Sequence, residues 1–303
     1  MLLLSLVGEQ PIPNLLPLWH SAEYTCVQFA ATQTTLGVAK GLADTIRVDP
    51  QLSHLQVLEP VILAAYDIQA SRTALAAALV KHQQDGLDVR LNLTGGTKLM
   101  SLAGVQAAFG SGVQLLYVTT EDNQVIYLAS DGSELNRQAL KVKISVPQYL
   151  AAHGLETGED LSFRIEARRY ASPPPSEGSE LEEQVYRLAF QSGLFDDVRR
   201  NVYIRKQTGR EPVINELDVV VTRNGRMAVC SCKSGKAVTK ENIYELASLS
   251  RRESAGIYCG KVLVSNQASL GLAVRDRARD MNVRLVYGSE ILNVAHHLEL
   301  ATR

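Results

Sequence analysis

With 303 residues and 31 basic against 32 acidic side chains, the chain has room for two domains and almost no net charge. No run reaches the ~18 apolar residues of a membrane span, and the apolar start Met1–Val7 lacks a basic flank, so it reads as a buried first strand and not a signal peptide. Of four cysteines only Cys230 and Cys232 are close, with no second pair at zinc-ligand spacing; they read as small core residues of a strand in a reducing cytosol.

The first half alternates strands with helical patterns. Leu2–Val7 is apolar throughout, as a strand buried on both faces must be. A turn and helix follow over Gln10–Leu16, then a strand over Tyr24–Ala30, a helix over Thr34–Ile46 and a strand over His54–Pro60. Ala70–Gln84 is helical, Leu87–Leu93 a strand and Leu99–Phe109 a helix. Val113–Thr119 and an antiparallel Gln124–Ala129 extend the sheet, with Leu140–Ser145 as its last strand and a short helix to His153. Repeated βα units predict a doubly wound parallel sheet, which takes ligands outside the carboxyl ends of its strands. Two loops fall there, Gly8–Asn14 and Thr94-Gly95-Gly96-Thr97-Lys98. The second combines glycines, hydroxyls, a lysine and a helix N-terminus, a set that suits phosphate but lacks Walker spacing. An ordinary turn capped by Thr94 or Thr97 explains it as well.

Residues 151–169 are polar and less regular, and the Pro/Ser-rich stretch Tyr170–Gly178 is the natural boundary. The predicted division is 1–150, a connector over 151–177, and 178–303. The second part changes pattern. Ser179 caps a helix to Ser192, with Glu180, Glu182 and Glu183 in its first turns. Val198–Ile204 is a strand and Gln207–Glu211 a loop. Two β-branched runs then flank Asn224-Gly225, the strongest short hairpin signal. Thr239–Glu253, Ser269–Met281 and Ser289–Leu300 are helical, and Lys261–Ser265 and Val283–Tyr287 are strands. This is a mixed sheet flanked by helices. Residues 1–170 carry 12 basic and 16 acidic side chains and residues 171–303 carry 19 and 16, so a polyanion fits the second part better.

Counting outwards from the two-residue turn sets Asp218 opposite Ser231 and Glu216 opposite Lys233. These four share one face, while Leu217, Val219, Val221, Cys230 and Cys232 form an apolar one. Carboxylates beside a lysine suit metal-assisted phosphodiester cleavage. A solvated face with a Glu216–Lys233 ion pair is the plainer alternative. Lys236 and Lys240, just beyond, could contact phosphate or simply open a solvated helix.

The hairpin and the acidic helix before it resemble the PD-(D/E)xK nuclease superfamily. The first half resembles the CARF domain, a Rossmann-like sensor of cyclic oligoadenylates. Together, Val7–Leu16, Thr94–Lys98, Asn215–Val219 and Cys232–Gly235 resemble the CARF-fused nuclease effectors of type III CRISPR systems. The resemblance implies an α/β fold: a Rossmann-like CARF domain with a parallel sheet and a C-terminal restriction-endonuclease-like mixed α/β domain. It implies a cytoplasmic homodimer that binds cyclic tetra-adenylate and then cleaves DNA, and RNA besides, with Mg²⁺ or Mn²⁺. The ring would meet Gln10 and Asn14 through bases or ribose, and Thr94, Gly95, Gly96, Thr97 and Lys98 through phosphate and ribose. Asp218 would bind metal and Lys233 would be the catalytic lysine. Glu182 is the helix acid, in the pattern Gly178–Glu182, and Cys232 stands with Asp218, Glu216 and Glu182 in the metal set. The chain departs from the family at Ser231, where Glu or Asp is usual, and at Glu180, where Trp is frequent. Three outcomes stay open: Glu216 supplies the missing carboxylate, Glu182 or Glu183 does, or the protein is a weakened or inactive ring-binding sensor. A ring nuclease that degrades its own ligand is a further alternative.

Overall fold

β1 (Leu2–Leu6) has Leu2, Leu3, Leu4 and Leu6 at 0 % exposure, as a central strand covered on both faces requires. It belongs to a computed structural model that describes residues 1–119, 122–158, 180–208, 211–235, 237–249 and 255–303. The chain divides into two units, Met1–Val142 and Lys143–Arg303.

In the first unit β1 is followed by α1 (Ile12–His20), β2 (Cys26–Ala31), α2 (Leu36–Val48), β3 (Gln56–Ile62), α3 (Ile68–Gln84), β4 (Val89–Asn92), α4 (Lys98–Ala108), β5 (Gln114–Thr119), β6 (Gln124–Leu128) and β7 (Glu134–Ala139). The sheet order is β3-β2-β1-β4-β5-β6-β7. Its first five strands run parallel, β6 runs antiparallel to them, and β7 pairs antiparallel with β6. β1 leads out to β2 on one side while β4 leads to β5 on the other, so the order reverses between them, and the loops after β1 and β4 flank that crevice.

One predicted strand is corrected. Residues 140–145 join no sheet; the seventh strand is Glu134–Ala139, exposed at every position. Leu140, Val142 and Ile144 are buried while Lys141 and Lys143 are exposed, so extended chain mimics strand alternation without a ladder.

The second unit contains α5 (Val146–Ala152), β8 (Glu156–Gly158), α6 (Glu180–Gln191), β9 (Asp197–Thr208), β10 (Glu211–Arg223), β11 (Arg226–Lys233), α7 (Lys240–Leu249), β12 (Cys259–Ser265), α8 (Leu272–Asp280), β13 (Arg284–Tyr287), a 3₁₀ turn over Gly288–Asn293 and α9 (Val294–Ala301). Its sheet order is β13-β12-β11-β10-β9-β8. The predicted hairpin is β10–β11, and Asn224 and Gly225 turn at φ 48° and 79°. The predicted loop over Gln207–Glu211 is largely strand, with 209–210 outside the described residues. Most of the predicted connector, Gly178, Ser179, Lys236 and the end of the Thr239–Glu253 helix lie outside them too. Val219, Val221, Cys230 and Cys232 pack against Leu181 and Val185 of α6, as their apolar alternation predicts.

Candidate functional site

Asp218 sits where the ladders of β10 are interrupted. The β10–β11 register runs from Arg223↔Arg226 to Val219↔Cys230. On the other edge Leu217 pairs with Val202 and Val219 with Arg200, stepping over Asp218 and Asn201, whose φ is 52°. The N–H of Cys232 is thereby turned onto the Asp218 carboxylate at 2.7 Å, and the Ser231 hydroxyl donates to the same oxygen at 3.4 Å. Burial pushes the Asp218 carboxyl up to about 6. The Cys232 N–H opposes that shift, the Glu182 carboxylate adds to it, and Lys233 and Ser231 oppose it. Asp218 therefore feels the charge of both Glu182 and Lys233.

Glu182 lies in the first turn of α6 and is only 6 % exposed. Glu183 beside it pairs with Arg200 of β9. The Glu216 carboxylate accepts the Tyr203 hydroxyl at 3.0 Å, and Lys233 Nζ lies 3.7 Å from Glu245 of α7. The anticipated Glu216–Lys233 ion pair is thus replaced by the Tyr203 hydrogen bond to Glu216 and the Lys233–Glu245 ion pair, because the register that would oppose Glu216 to Lys233 stops short at Val219. Lys240 is exposed at the start of α7. The Cys232 thiol is corrected out of the metal set. It lies in the core, Sγ 3.9 Å from Cys230 Sγ, and its pKa is raised well above the ordinary value by its Cys230 hydrogen bond and by burial. A neutral, soft thiol facing the core is a poor ligand for a hard cation. Among the described residues no three His, Cys, Asp or Glu side chains cluster as a metal cage. The buried carboxylates of Asp218 and Glu182 still fit a hard divalent ion, whose charge would relieve the repulsion that Glu182 exerts on Asp218.

At the other predicted site the loops after β1 and β4 meet backbone to backbone. A Cβ on Gly8 would stand 2.9 Å from Gly96 N, and one on Gly95 would overlap the Leu6 carbonyl oxygen. Gly96 is at φ +79°. Thr97 caps α4, accepting from Met100 N at 3.2 Å, and donates to the Ala65 carbonyl at 2.8 Å. Lys98 is exposed on the first turn of that helix, and Gln10 is buried.

Asn14 and Thr94 are placed differently from expectation. Asn14 is 0 % exposed and accepts the Ser5 hydroxyl at 2.9 Å; Ser5 in turn accepts from Asn92 at 2.9 Å. Thr94 donates its hydroxyl to Asn92 at 2.6 Å and accepts the Val118 N–H at 2.9 Å. Both tie the strand ends together beneath the loops. Asn14→Ala is therefore expected to cost about 1–3 kcal/mol of stability by stranding Ser5, a loss that denaturant unfolding would register. Ser5 and Asn92 were missed, although a lone polar residue inside an otherwise apolar buried strand is the signal that marks such a network.

A family model described as the Card1 CARF domain matches residues 2–149, and one described as the Card1-like endonuclease domain matches residues 166–303. No curated protein matches the chain. Among solved structures, protein VC1899 from Vibrio cholerae aligns with a TM-score of 0.80 at 14 % identity, over 99 % of this chain and 97 % of that one. Can2 from Sulfobacillus thermosulfidooxidans, solved in complex with cyclic tetra-adenylate, aligns with a TM-score of 0.76 at 18 % identity, over 100 % and 97 %. A type III CRISPR defence DNA nuclease activated by cyclic oligoadenylate aligns with a TM-score of 0.63 at 22 % identity, over 95 % of this chain and 48 % of that one. These likenesses show the fold. With its first half matched as a CARF domain and its second as an endonuclease domain, the chain belongs to the Card1-type family of CARF-fused endonucleases.

Proposed function

We propose that the chain is a nuclease of type III CRISPR defence, switched on by cyclic tetra-adenylate and dependent on Mg²⁺ or Mn²⁺. The observation that carries it is the buried acid pair Asp218 and Glu182 beside Lys233, in a chain whose other half has the sensor fold. Glu182 takes the place left by Ser231, because its charge is the carboxylate charge that reaches Asp218. Glu216 and Glu183 are held by Tyr203 and Arg200. The bound ion would polarise the scissile phosphate. Cys232 N and Ser231 orient the Asp218 carboxylate towards it. Lys233 stabilises the charge that develops on the attacked phosphate or on the incoming hydroxide.

Sensing is assigned to residues 1–150, the connector to 151–177 and cleavage to 178–303. The ring's phosphates lie over the Gly95–Lys98 turn, where the N-terminus of α4 and Lys98 supply positive charge. A homodimer matches the ring's two-fold symmetry. Leu102 on α4 and Phe109 just past its C-terminal end, 53 % and 69 % exposed, offer apolar surface that a second copy would cover, bringing two sets of loops together. Ring binding drives cleavage only as far as the active pose binds the ring more tightly than the resting one. The work is cytoplasmic, where nucleic acid is met, and no described helix is long and apolar enough to cross a membrane. The test is cleavage of plasmid and single-stranded substrates with ring and divalent ion added separately and together. Cleavage is expected only with both, and Lys233→Ala should reduce it at least about a hundredfold. Thermal stabilisation by the ring without cleavage under any metal would instead establish a sensor that cuts nothing, and linear products from the ring alone would establish a ring nuclease.

A further inference from the structure

A third loop lies at the carboxyl edge of the first sheet, because β3 runs parallel to β2 and β2 to β1. It covers residues 63–67, and both of its ends are fixed. Leu63 is buried and its N–H donates to the Ala31 carbonyl at 2.8 Å. The buried Ser71 hydroxyl donates to the Ala64 carbonyl at 2.7 Å and accepts the Ala64 N–H at 3.1 Å. The Asp67 carboxylate caps α3, accepting the Ala70 N–H at 3.0 Å. The Ala65 carbonyl accepts the Thr97 hydroxyl at 2.8 Å. Thr97 is itself the cap of α4, so this one bond joins the N-terminal ends of two helices, and both dipoles favour negative charge there. Between Ala65 and Asp67 stands Tyr66, 82 % exposed, its hydroxyl without a hydrogen-bond partner among the described residues. A tyrosine raised into solvent on an anchored backbone, one residue from the contact with a phosphate-binding turn, is placed as a platform for a base.

We propose that Tyr66 stacks against one base of the cyclic oligoadenylate and so takes part in choosing it. This rests on the ring-binding reading and adds a specificity residue to it. The Gly95–Lys98 turn takes phosphate through backbone and charge, which every nucleotide satisfies alike. The base is left to be read elsewhere. Stacking reads the area of a π-face and not its hydrogen-bonding edge, so Tyr66 favours a purine over a pyrimidine and does not tell adenine from guanine.

The test is calorimetry of full-length protein with cyclic tetra-adenylate. Tyr66→Ala and Tyr66→Leu should each weaken binding at least about tenfold, the loss of one stacked base, while Tyr66→Phe should bind as the parent does. Leucine keeps apolar bulk without a π-face, which separates stacking from simple contact. Without ligand all three variants should melt as the parent does. The ligand concentration for half-maximal cleavage should rise by the same factor as the dissociation constant. Tyr66→Trp gives a direct signal, because the one tryptophan of the chain, Trp19, is buried. Emission from position 66 should be quenched when the ligand binds. Cyclic tetra-uridylate should bind the parent more weakly than the adenylate, and that gap should narrow in Tyr66→Ala. Parent-like affinity in Tyr66→Ala, with no quenching in Tyr66→Trp, would overturn the platform and leave the ring site in place. Weakened binding accompanied by dissociation into monomers would also overturn it, assigning Tyr66 to contact between copies. A parent protein that binds no ring would overturn the ring-binding reading itself.

Discussion

Asp218→Asn protein is expected to be catalytically dead and, without divalent ion, more stable than the parent at pH 7.5. The two effects have one origin. The Asp218 carboxyl is pushed from 3.8 to about 6, first by burial and then by Glu182 against the pull of the Cys232 N–H. An acid whose pKa is higher folded than unfolded binds more protons in the folded state between those two values, so stability falls as pH rises through that window. Above pH 6 the whole charge cost is present, of order 2–3 kcal/mol for a shift of this size. Asparagine keeps an oxygen to accept the Cys232 N–H and removes the charge. Its advantage should shrink as pH drops below 6 and vanish near pH 4, where the parent is neutral in both states. A divalent ion should reverse the order, stabilising the parent and leaving the variant where it was. Cleavage should fall about a thousandfold, since an amide neither balances a cation nor binds it well. Thermal melts across pH, with and without Mg²⁺, read both halves. A variant less stable than the parent at pH 7.5 would mean that the carboxylate is not desolvated as the structure has it.

That double effect also explains which parts of the site could be read from the sequence. Asn224-Gly225 sets its own backbone, and β-branched runs on either side determine the faces, so the hairpin and its apolar side were legible residue by residue. The polar side was legible only as far as a straight ladder allowed. Counting opposed Glu216 to Lys233, but pairing stops at Val219, and each then takes a partner from another element, Tyr203 and Glu245. No local pattern encodes that step, which coincides with a second break on the other edge of β10, where Asn201 of β9 adopts positive φ. The same division holds in the first unit. β1 was legible because Leu2–Leu6 must be buried, whereas Glu134–Ala139 carries no apolar period and gains its strand from β6 alone. The family resemblance implies a ligand contact for Asn14, and no local pattern in the sequence argues against it. Its actual partner, Ser5, is a β1 residue nine positions earlier in the chain, visible only once α1 folds back over the strand.

Gly95→Ala should have the largest effect in the sensor. The added methyl would meet the Leu6 carbonyl oxygen and stand 3.3 Å from Gly8 N, so the obstacle is backbone on every side and no side chain can swing away. Leu6 itself is locked, 0 % exposed and paired with Ala30 in the β1–β2 register. The Thr94–Lys98 turn must therefore lift off the end of β1, at a cost of about 1–3 kcal/mol for an overpacked site. Ring binding should suffer more than stability, because the lift displaces the Gly96 and Thr97 backbone that is assigned to phosphate, and a small misplacement of preorganised donors costs about a hundredfold. Gly37→Ala is the matched control: nothing lies within 4 Å of its Cβ, it sits in α2, and alanine there should stabilise by about 0.5–1 kcal/mol. Calorimetry of the ring with both full-length variants, well below their unfolding midpoints, separates the effects. If Gly95→Ala protein binds cyclic tetra-adenylate with the parent's affinity, the junction of the β1 and β4 loops is not where the activator is held, and the ring must be sought elsewhere on the sensor.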